Sequence, residues 1–183
     1  MLSRKRNDLH AWGQERLGDF TDIQTGSSNA QDAVDDGEYP FFIRSDEVKR
    51  SNKYIFDCEA ICIPGEGRLG DIFHYVNGKF DCHQRVYKIS GFCGVDARFV
   101  LYAMQKSFKK HALENTSKAT VDSIRLPTLT GFEFKMPKDI EEQRKVSSFL
   151  TEVDVLLVLH QRKQQWNRWR RLLHFQQDFA CLS

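Results

Sequence analysis

Two patterns of apolar and polar residues divide this chain, and they change over near Lys138. Up to that point short apolar runs are separated by turn chemistry: Gly26-Ser27-Ser28-Asn29, Asp35-Asp36-Gly37, Pro64-Gly65, Asn77-Gly78, Gly91 and Gly94. Short runs bounded by Gly, Pro, Asn and Asp read as strands. The spacing predicts strands over Tyr39–Ile43, Ala60–Ile63, Ile72–Val76 and Val86–Ile89, with Asn77-Gly78 turning a hairpin into Lys79-Phe80. One helix is expected from Asp96 to about Leu113, where Phe99, Val100, Tyr102, Ala103, Met104, Phe108 and Leu113 supply an apolar side. No βαβ rhythm and no internal repeat is visible. The expected fold class is therefore α+β, a mixed globular domain over residues 1–138 followed by a long C-terminal α-helix over 139–183.

That helix has a clear start. Met136-Pro137 precedes Asp139, whose side chain can cap it, and Glu142 stands in the capping-box position. Val146, Phe149, Leu150, Val153, Leu156, Leu157 and His160 then recur at 3–4 spacing as a stripe on one face. No Gly or Pro interrupts Ile140 to Ser183. A helix of about 40 residues is roughly 60 Å long. It is too long to fold back on a small domain, so it is expected to act as a coiled-coil arm that pairs with another helix. Beyond His160 the repeat degrades, since Trp166, Trp169, Leu173 and Phe175 do not continue the stripe cleanly, although Trp166 and Trp169 still count as interface candidates.

Charge sharpens this division. Net charge is only +2, and up to Lys138 the chain holds 20 Lys and Arg against 19 Asp and Glu. After Val155 it carries Arg162, Lys163, Arg168, Arg170 and Arg171 with no acid before Asp178, a basic block on the helix. Five cysteines (Cys58, Cys62, Cys82, Cys93 and Cys181) fit reduced thiols better than a disulfide framework. No run reaches the roughly 18–20 apolar residues of a membrane span. The opening MLSRKRNDLH has no apolar stretch behind its basic patch, so a cytoplasmic protein with no membrane partner is the expectation.

Candidate chemistry is mostly excluded by spacing. Gly65-Glu66-Gly67-Arg68-Leu69-Gly70 fits GxGxxG, but seven residues, Asp71 to Asn77, separate it from the Asn77-Gly78 turn. That leaves no room for the helix a dinucleotide loop needs, and a glycine-rich loop between strands is expected instead. Cys58, Cys62, His74, Cys82 and His83 look like a loose zinc set. Cys58 to Cys62 runs along a strand, where four residues span about 13 Å, whereas thiolates on one zinc lie within about 4 Å of each other. Buried thiols fit better, and no metal site is assigned. Asp46-Glu47-Val48-Lys49 offers an acidic-x-Lys fragment of nuclease type, without a well-placed second acid. There is no P-loop, nucleophile elbow, Cys/His dyad or Asn/Asp-Pro-Pro-aromatic tetrad, so no catalytic residue is assigned.

What remains is a set of polar and basic side chains assigned to loops. Arg and Gln can make bidentate contacts to guanine and adenine, while Lys, Ser and Thr suit phosphates. The residues singled out for DNA contact are Arg44, Ser45, Lys49, Arg68, Lys79, His83, Gln84, Arg85, Thr116 and Lys118, with Arg50, Lys53, Asn115, Ser117 and Thr120 nearby in sequence.

The order of segments resembles the specificity subunit of type I restriction–modification systems. The resemblance rests on Trp12-Gly13-Gln14-Glu15-Arg16-Leu17-Gly18-Asp19, then Ile23-Gln24-Thr25-Gly26, and then Gly37-Glu38-Tyr39-Pro40-Phe41-Phe42-Ile43-Arg44. It continues through Ala60-Ile61-Cys62-Ile63-Pro64-Gly65 and Gly78-Lys79-Phe80. It closes on Met136-Pro137, Glu142-Gln143-Arg144-Lys145-Val146, Phe149-Leu150 and Asp154. The match spans nearly the whole chain, and its segment order is more specific than any one piece.

The resemblance implies a DNA target recognition domain followed by a conserved spacer helix. In that family two such units share a chain, their helices pair antiparallel, and each domain reads half of a split double-stranded DNA site. Methyltransferase subunits bring S-adenosylmethionine and adenine-N6 chemistry. A restriction subunit brings ATP-driven translocation and cleavage, with magnesium. No cofactor is expected in this chain. One unit is present here where the family has two, so self-pairing into a homodimer, or pairing with a second specificity half, is expected. Two other classes stay open: an interaction protein of methyltransferase subunits without DNA specificity, and a stand-alone metal-dependent nuclease.

Overall fold

A computed structural model describes residues 12–115 and 123–180, with side chains through Trp166. Eight strands and three α-helices lie among these residues. The strands are β1 (Trp12–Arg16), β2 (Asp22–Thr25), β3 (Tyr39–Phe42), β4 (Val48–Ser51), β5 (Phe56–Pro64), β6 (His74–Cys82), β7 (Val86–Ser90) and β8 (Glu133–Pro137). The helices are α1 (Ala97–Asn115), α2 (Leu126–Thr130) and α3 (Ile140–Ala180). The chain forms two compact units, Met1–Arg144 and Lys145–Ser183, so the first turn of α3 belongs with the domain. The mixed sheet with its helices and the long C-terminal helix agree with the expected class.

Six strands form one sheet in the order β2-β7-β5-β6-β3-β4. Every pairing is antiparallel except β3 beside β6, where Phe41 faces Asp81 and Phe42 faces Cys82. β5 is central, and Ala60-Ile61-Cys62-Ile63-Pro64 is buried at every position. An unbroken apolar run is what a strand covered on both faces requires. β6 and β7 flank β5 on opposite sides, yet only His83, Gln84 and Arg85 join them. Three residues reach only about 10 Å. The sheet therefore curls, bringing the Cys82 thiol within 3.6 Å of the Val86 carbonyl and letting the Gly26 amide bond Val86 at 3.2 Å. Gly26 is required there, because a Cβ would sit 1.9 Å from the Cys82 carbonyl oxygen.

Phe42, Ala60, Cys62, Phe80, Cys82 and Val86 fill the inside of the curl. Burial, followed by the neighbouring Cys82, raises the Cys62 thiol well above its ordinary value, so this cysteine is an inert apolar residue. Asp81 is fully buried and accepts from Ser28 Oγ (2.6 Å), Ser51 Oγ (3.0 Å) and the Cys82 amide (2.8 Å). It ties three segments of the sheet together. A second core gathers Phe99, Val100, Met104 and Phe108 of α1 with Leu17, Leu129, Phe132, Phe134 and Met136. Phe108 and Phe132 meet edge to face at 5.3 Å.

β1 pairs with β8 in a separate two-stranded sheet. The pairing sets Trp12 against Phe99, and the indole Nε1 donates to Glu142 Oε1 at 3.2 Å. Asp139 caps α3 by accepting from the Glu141 amide at 2.9 Å. Gln143 has no solvent exposure; its Nε2 donates to the Pro137 carbonyl at 2.8 Å and its Oε1 accepts from the Asp96 amide at 2.9 Å. One side chain thus joins the start of α3 to the end of β8 and the start of α1.

Three sequence expectations need correction, and four strands were not expected. Asn77-Gly78 is no hairpin turn: both residues lie inside β6, opposite Glu59 and Cys58. Gly78 takes φ +125, which favours glycine within the bent strand, and the chain reverses instead through residues 65–73. Ile72 is buried in that loop rather than starting the strand. Leu113 is 53% exposed rather than part of the apolar side of α1. Strands β1, β2 and β4 lie in WGQER, DIQT and VKRS, which carry too few apolar residues to mark them, and in β8 the alternation of Phe134 and Met136 is confined to five residues. The GxGxxG segment does lie in a loop between strands, β5 and β6.

Candidate nucleic-acid interface

The curl decides which polar residues meet. Closing β6 onto β7 places the turn 83–85 beside the end of β3 and the loop after β5, through His83 N–H to the Phe42 carbonyl (3.0 Å) and Gly65 N–H to the Arg85 carbonyl (2.9 Å). Loops 43–47, 65–73 and 83–85 thereby form one surface. Arg44, Ser45, Arg68, His83, Gln84 and Arg85 all stand on it.

Glu66 organises the centre. Its Oε2 accepts from Arg44 Nη1 at 3.0 Å and its Oε1 from Arg85 Nη1. Burial pushes the Glu66 carboxyl up, but the hydrogen bonds and charge of Arg85 and then Arg44 bring it below its ordinary value. The arginine side chains remain 49% and 56% exposed, against 26% for the glutamate. Arg68 pairs with Asp46 at the edge. Gln84 Nε2 donates to Asn29 Oδ1 at 2.8 Å, while the Gln84 amide bonds the Ser28 carbonyl, so the turn is fixed from the β2 side as well.

His83 is nearly enclosed, and its Nδ1 accepts from the Arg85 amide at 3.0 Å. Burial, then Arg44 and Arg85, lower the imidazole below its ordinary value, so the ring is neutral at pH 7. Next to this surface Asp46, Asp71, His74 and Gln105 line an open hollow. His74 Nε2 lies 3.0 Å from the Ser45 carbonyl, and Lys109 holds Asp71 at 2.9 Å.

Not every candidate joins. Lys49 and Arg50 lie on β4 and Lys79 on β6, so their assignment to loops is corrected; these strands carry few apolar positions at those sites and gave no periodic signal. Lys49 pairs with Glu47, and Arg50 donates to the Gly37 and Glu38 carbonyls. Lys79 sits over the Tyr54 ring at 4.7 Å. Thr116 and Lys118 lie outside the described residues. The acidic fragment has other duties too, Asp46 with Arg68 and Glu47 with Lys49. Sequence reasoning missed Glu66 altogether. Its only signal was a carboxylate inside a glycine-rich loop.

The expected interface residues of α3 divide in the structure. Val146, Leu150 and Val153 are half-buried, while Phe149, Leu156, Leu157, His160 and Trp166 are exposed; the Trp169 side chain lies outside the described residues. Val155, Val158 and Leu159 are exposed as well, so five consecutive apolar residues, 155–159, face water around the helix. No described helix is long and apolar enough to cross a membrane.

Comparison with known proteins gives a consistent result. The family described as "Type I restriction modification DNA specificity domain" matches residues 10–166. The type I restriction enzyme EcoDI specificity subunit of Escherichia coli is 30% identical over 146 residues, covering 78% of this chain and 32% of that protein. The S subunit of a type I restriction–modification system from M. genitalium superposes with TM-score 0.67 at 20% identity, over 79% of this chain and 39% of that one. The HsdS subunit from Thermoanaerobacter tengcongensis gives TM-score 0.60 at 17% identity, over 84% and 40%. The chain thus spans about a third of the length of the curated relative and about two-fifths of the solved chains.

Proposed function

This chain belongs to the type I restriction–modification DNA specificity family, and on that footing we propose that it is the non-catalytic DNA-reading part of such an enzyme. Residues 1–138 act as a target recognition domain for one half of a split double-stranded site. Residues 139–183 act as the spacer helix, which pairs with a second copy or another specificity half. The methyltransferase and restriction subunits dock on this chain and bring S-adenosylmethionine, ATP and magnesium, and the assembly works in the cytoplasm.

The observation that carries this reading is the convergence of Arg44, Arg68, Gln84 and Arg85 on one exposed surface, from three loops far apart in sequence. Ser45 and His83 complete it. Lys49 on β4 and Lys79 on β6, together with Thr116 and Lys118, are assigned to the flanking phosphates. A second reading, an interaction protein of methyltransferase subunits without DNA specificity, draws on the exposed apolar run 155–159.

Affinity for mixed-sequence duplex DNA, measured against salt, separates the two. With roughly four phosphates neutralised, affinity falls on the order of a hundredfold for a roughly fourfold rise in salt. A flat profile favours the interaction protein. Light scattering on the same sample, with and without a methyltransferase subunit, is expected to give a species near twice 21.4 kDa that recruits the partner.

A further inference from the structure

Arg44, Glu66 and Arg85 form a trio whose geometry suits base edges better than phosphates. Two guanidiniums and one carboxylate leave a net charge of +1, and a phosphate approaching either arginine also meets Glu66. Neutral His83 adds no positive charge beside them. At the centre of a surface that only held backbone, two cations sharing one carboxylate would forgo part of the gain from counterion release. Here both are spoken for, yet both stay about half exposed.

The hydrogen-bonding pattern is equally specific. Each arginine spends Nη1 on the shared carboxylate. Among the described residues the Nε–Nη2 edge of each has no hydrogen-bond partner, and it is a planar fork of two parallel donors. Guanine is the base whose major-groove edge offers two adjacent acceptors, O6 and N7. Adenine and cytosine present a donor there that would oppose a guanidinium. Because both arginines hold the same carboxylate, their forks lie within about 12 Å of each other, roughly three base-pair steps of about 3.4 Å each.

We propose that Glu66 is a positioning residue that holds Arg44 and Arg85 as a pair of guanine-reading forks, so that the half-site contains guanine at two positions within about three steps of each other. This inference rests on the DNA-reading function above and deepens it. Glu66 touches no base in this arrangement. It removes the rotamer freedom of two long side chains before DNA arrives and lowers their attraction for backbone.

The test enriches a random-sequence duplex library with the full chain, alone and together with a methyltransferase subunit. The enriched half-site is expected to contain guanine, and replacing that guanine by 7-deazaguanine, which keeps base pairing but removes N7, lowers affinity roughly tenfold. Arg44→Lys and Arg85→Lys keep the charge and lose the fork, and Glu66→Gln keeps the shape and loses the anchor. Each is expected to erase most of the guanine preference while affinity for unrelated DNA stays within about twofold or rises. All three side chains are surface groups, and unchanged melting of each variant confirms folding. An enriched site indifferent to 7-deazaguanine, or a Glu66→Gln variant that keeps its guanine preference, overturns the paired forks and leaves DNA reading intact. A library that yields no enriched sequence in either condition overturns both.

Discussion

The recognition domain and the distal helix answer the same physical demand in opposite ways. In the domain Phe41, Ile61, Ile63 and Phe80 are fully buried, and among the described residues no buried side-chain nitrogen or oxygen lacks a partner. Even the buried carboxylate of Asp81 has three donors. From Val155 to Leu159 the helix shows five apolar side chains, each between 47% and 65% exposed. The domain has satisfied its hydrophobic and hydrogen-bonding requirements within its own chain. The helix satisfies its backbone alone and leaves its apolar side chains for another surface. The function proposed above draws on both conditions, a rigid frame for the surface loops and an exposed apolar element on the helix.

The comparison breaks most visibly at the centre of the curl. Phe80→Ala removes a ring enclosed by Phe42, Phe56, Ala60 and Cys82, and is expected to cost about 3–5 kcal/mol in urea unfolding. A cost under about 1 kcal/mol would mean a loosely packed interior and would remove the contrast with the helix. Gln143→Ala is expected to follow at about 1–3 kcal/mol, because the part-buried Asp96 amide and the buried Pro137 carbonyl lose their partner. Its melting temperature should fall without any change in the mass of the assembled species. The smallest effect on stability belongs to the helix. Leu156→Asn with Leu157→Asn is expected to shift domain unfolding by less than about 0.5 kcal/mol, while the mass by light scattering falls toward 21.4 kDa. If the pair destabilises the domain instead, the two regions are not independent.

The resemblance motifs acquire separate physical reasons in the fold. Trp12 is kept by its packing on Phe99 and its bond to Glu142, Leu17 by burial, and Gly26 by the closeness of the Cys82 carbonyl. Gln143, quoted only as part of a helix signature, proves to be a buried brace. These residues join segments more than a hundred positions apart in the case of Trp12 and Glu142, whose separation is 130. No local pattern contains that information.

Local pattern was enough for the helices and for the kind of chemistry available. Helix α1 and helix α3 were legible because each needs only a cap and a 3–4 apolar spacing within one stretch of chain. The glycine-rich loop was legible although the turn that bounded it was misplaced, because β6 begins at His74 and leaves even less room for a helix. The polar strands β1, β2 and β4 were not, since each takes its stability from a partner strand rather than from its own composition, and β8 was too short for its alternation to stand out. Only the tertiary structure decided that Arg44, Glu66 and Arg85, separated by 22 and 19 residues, would meet. The physical reason is the three-residue link between β6 and β7 on either side of β5, which forces the sheet to curl and draws three loops onto one surface.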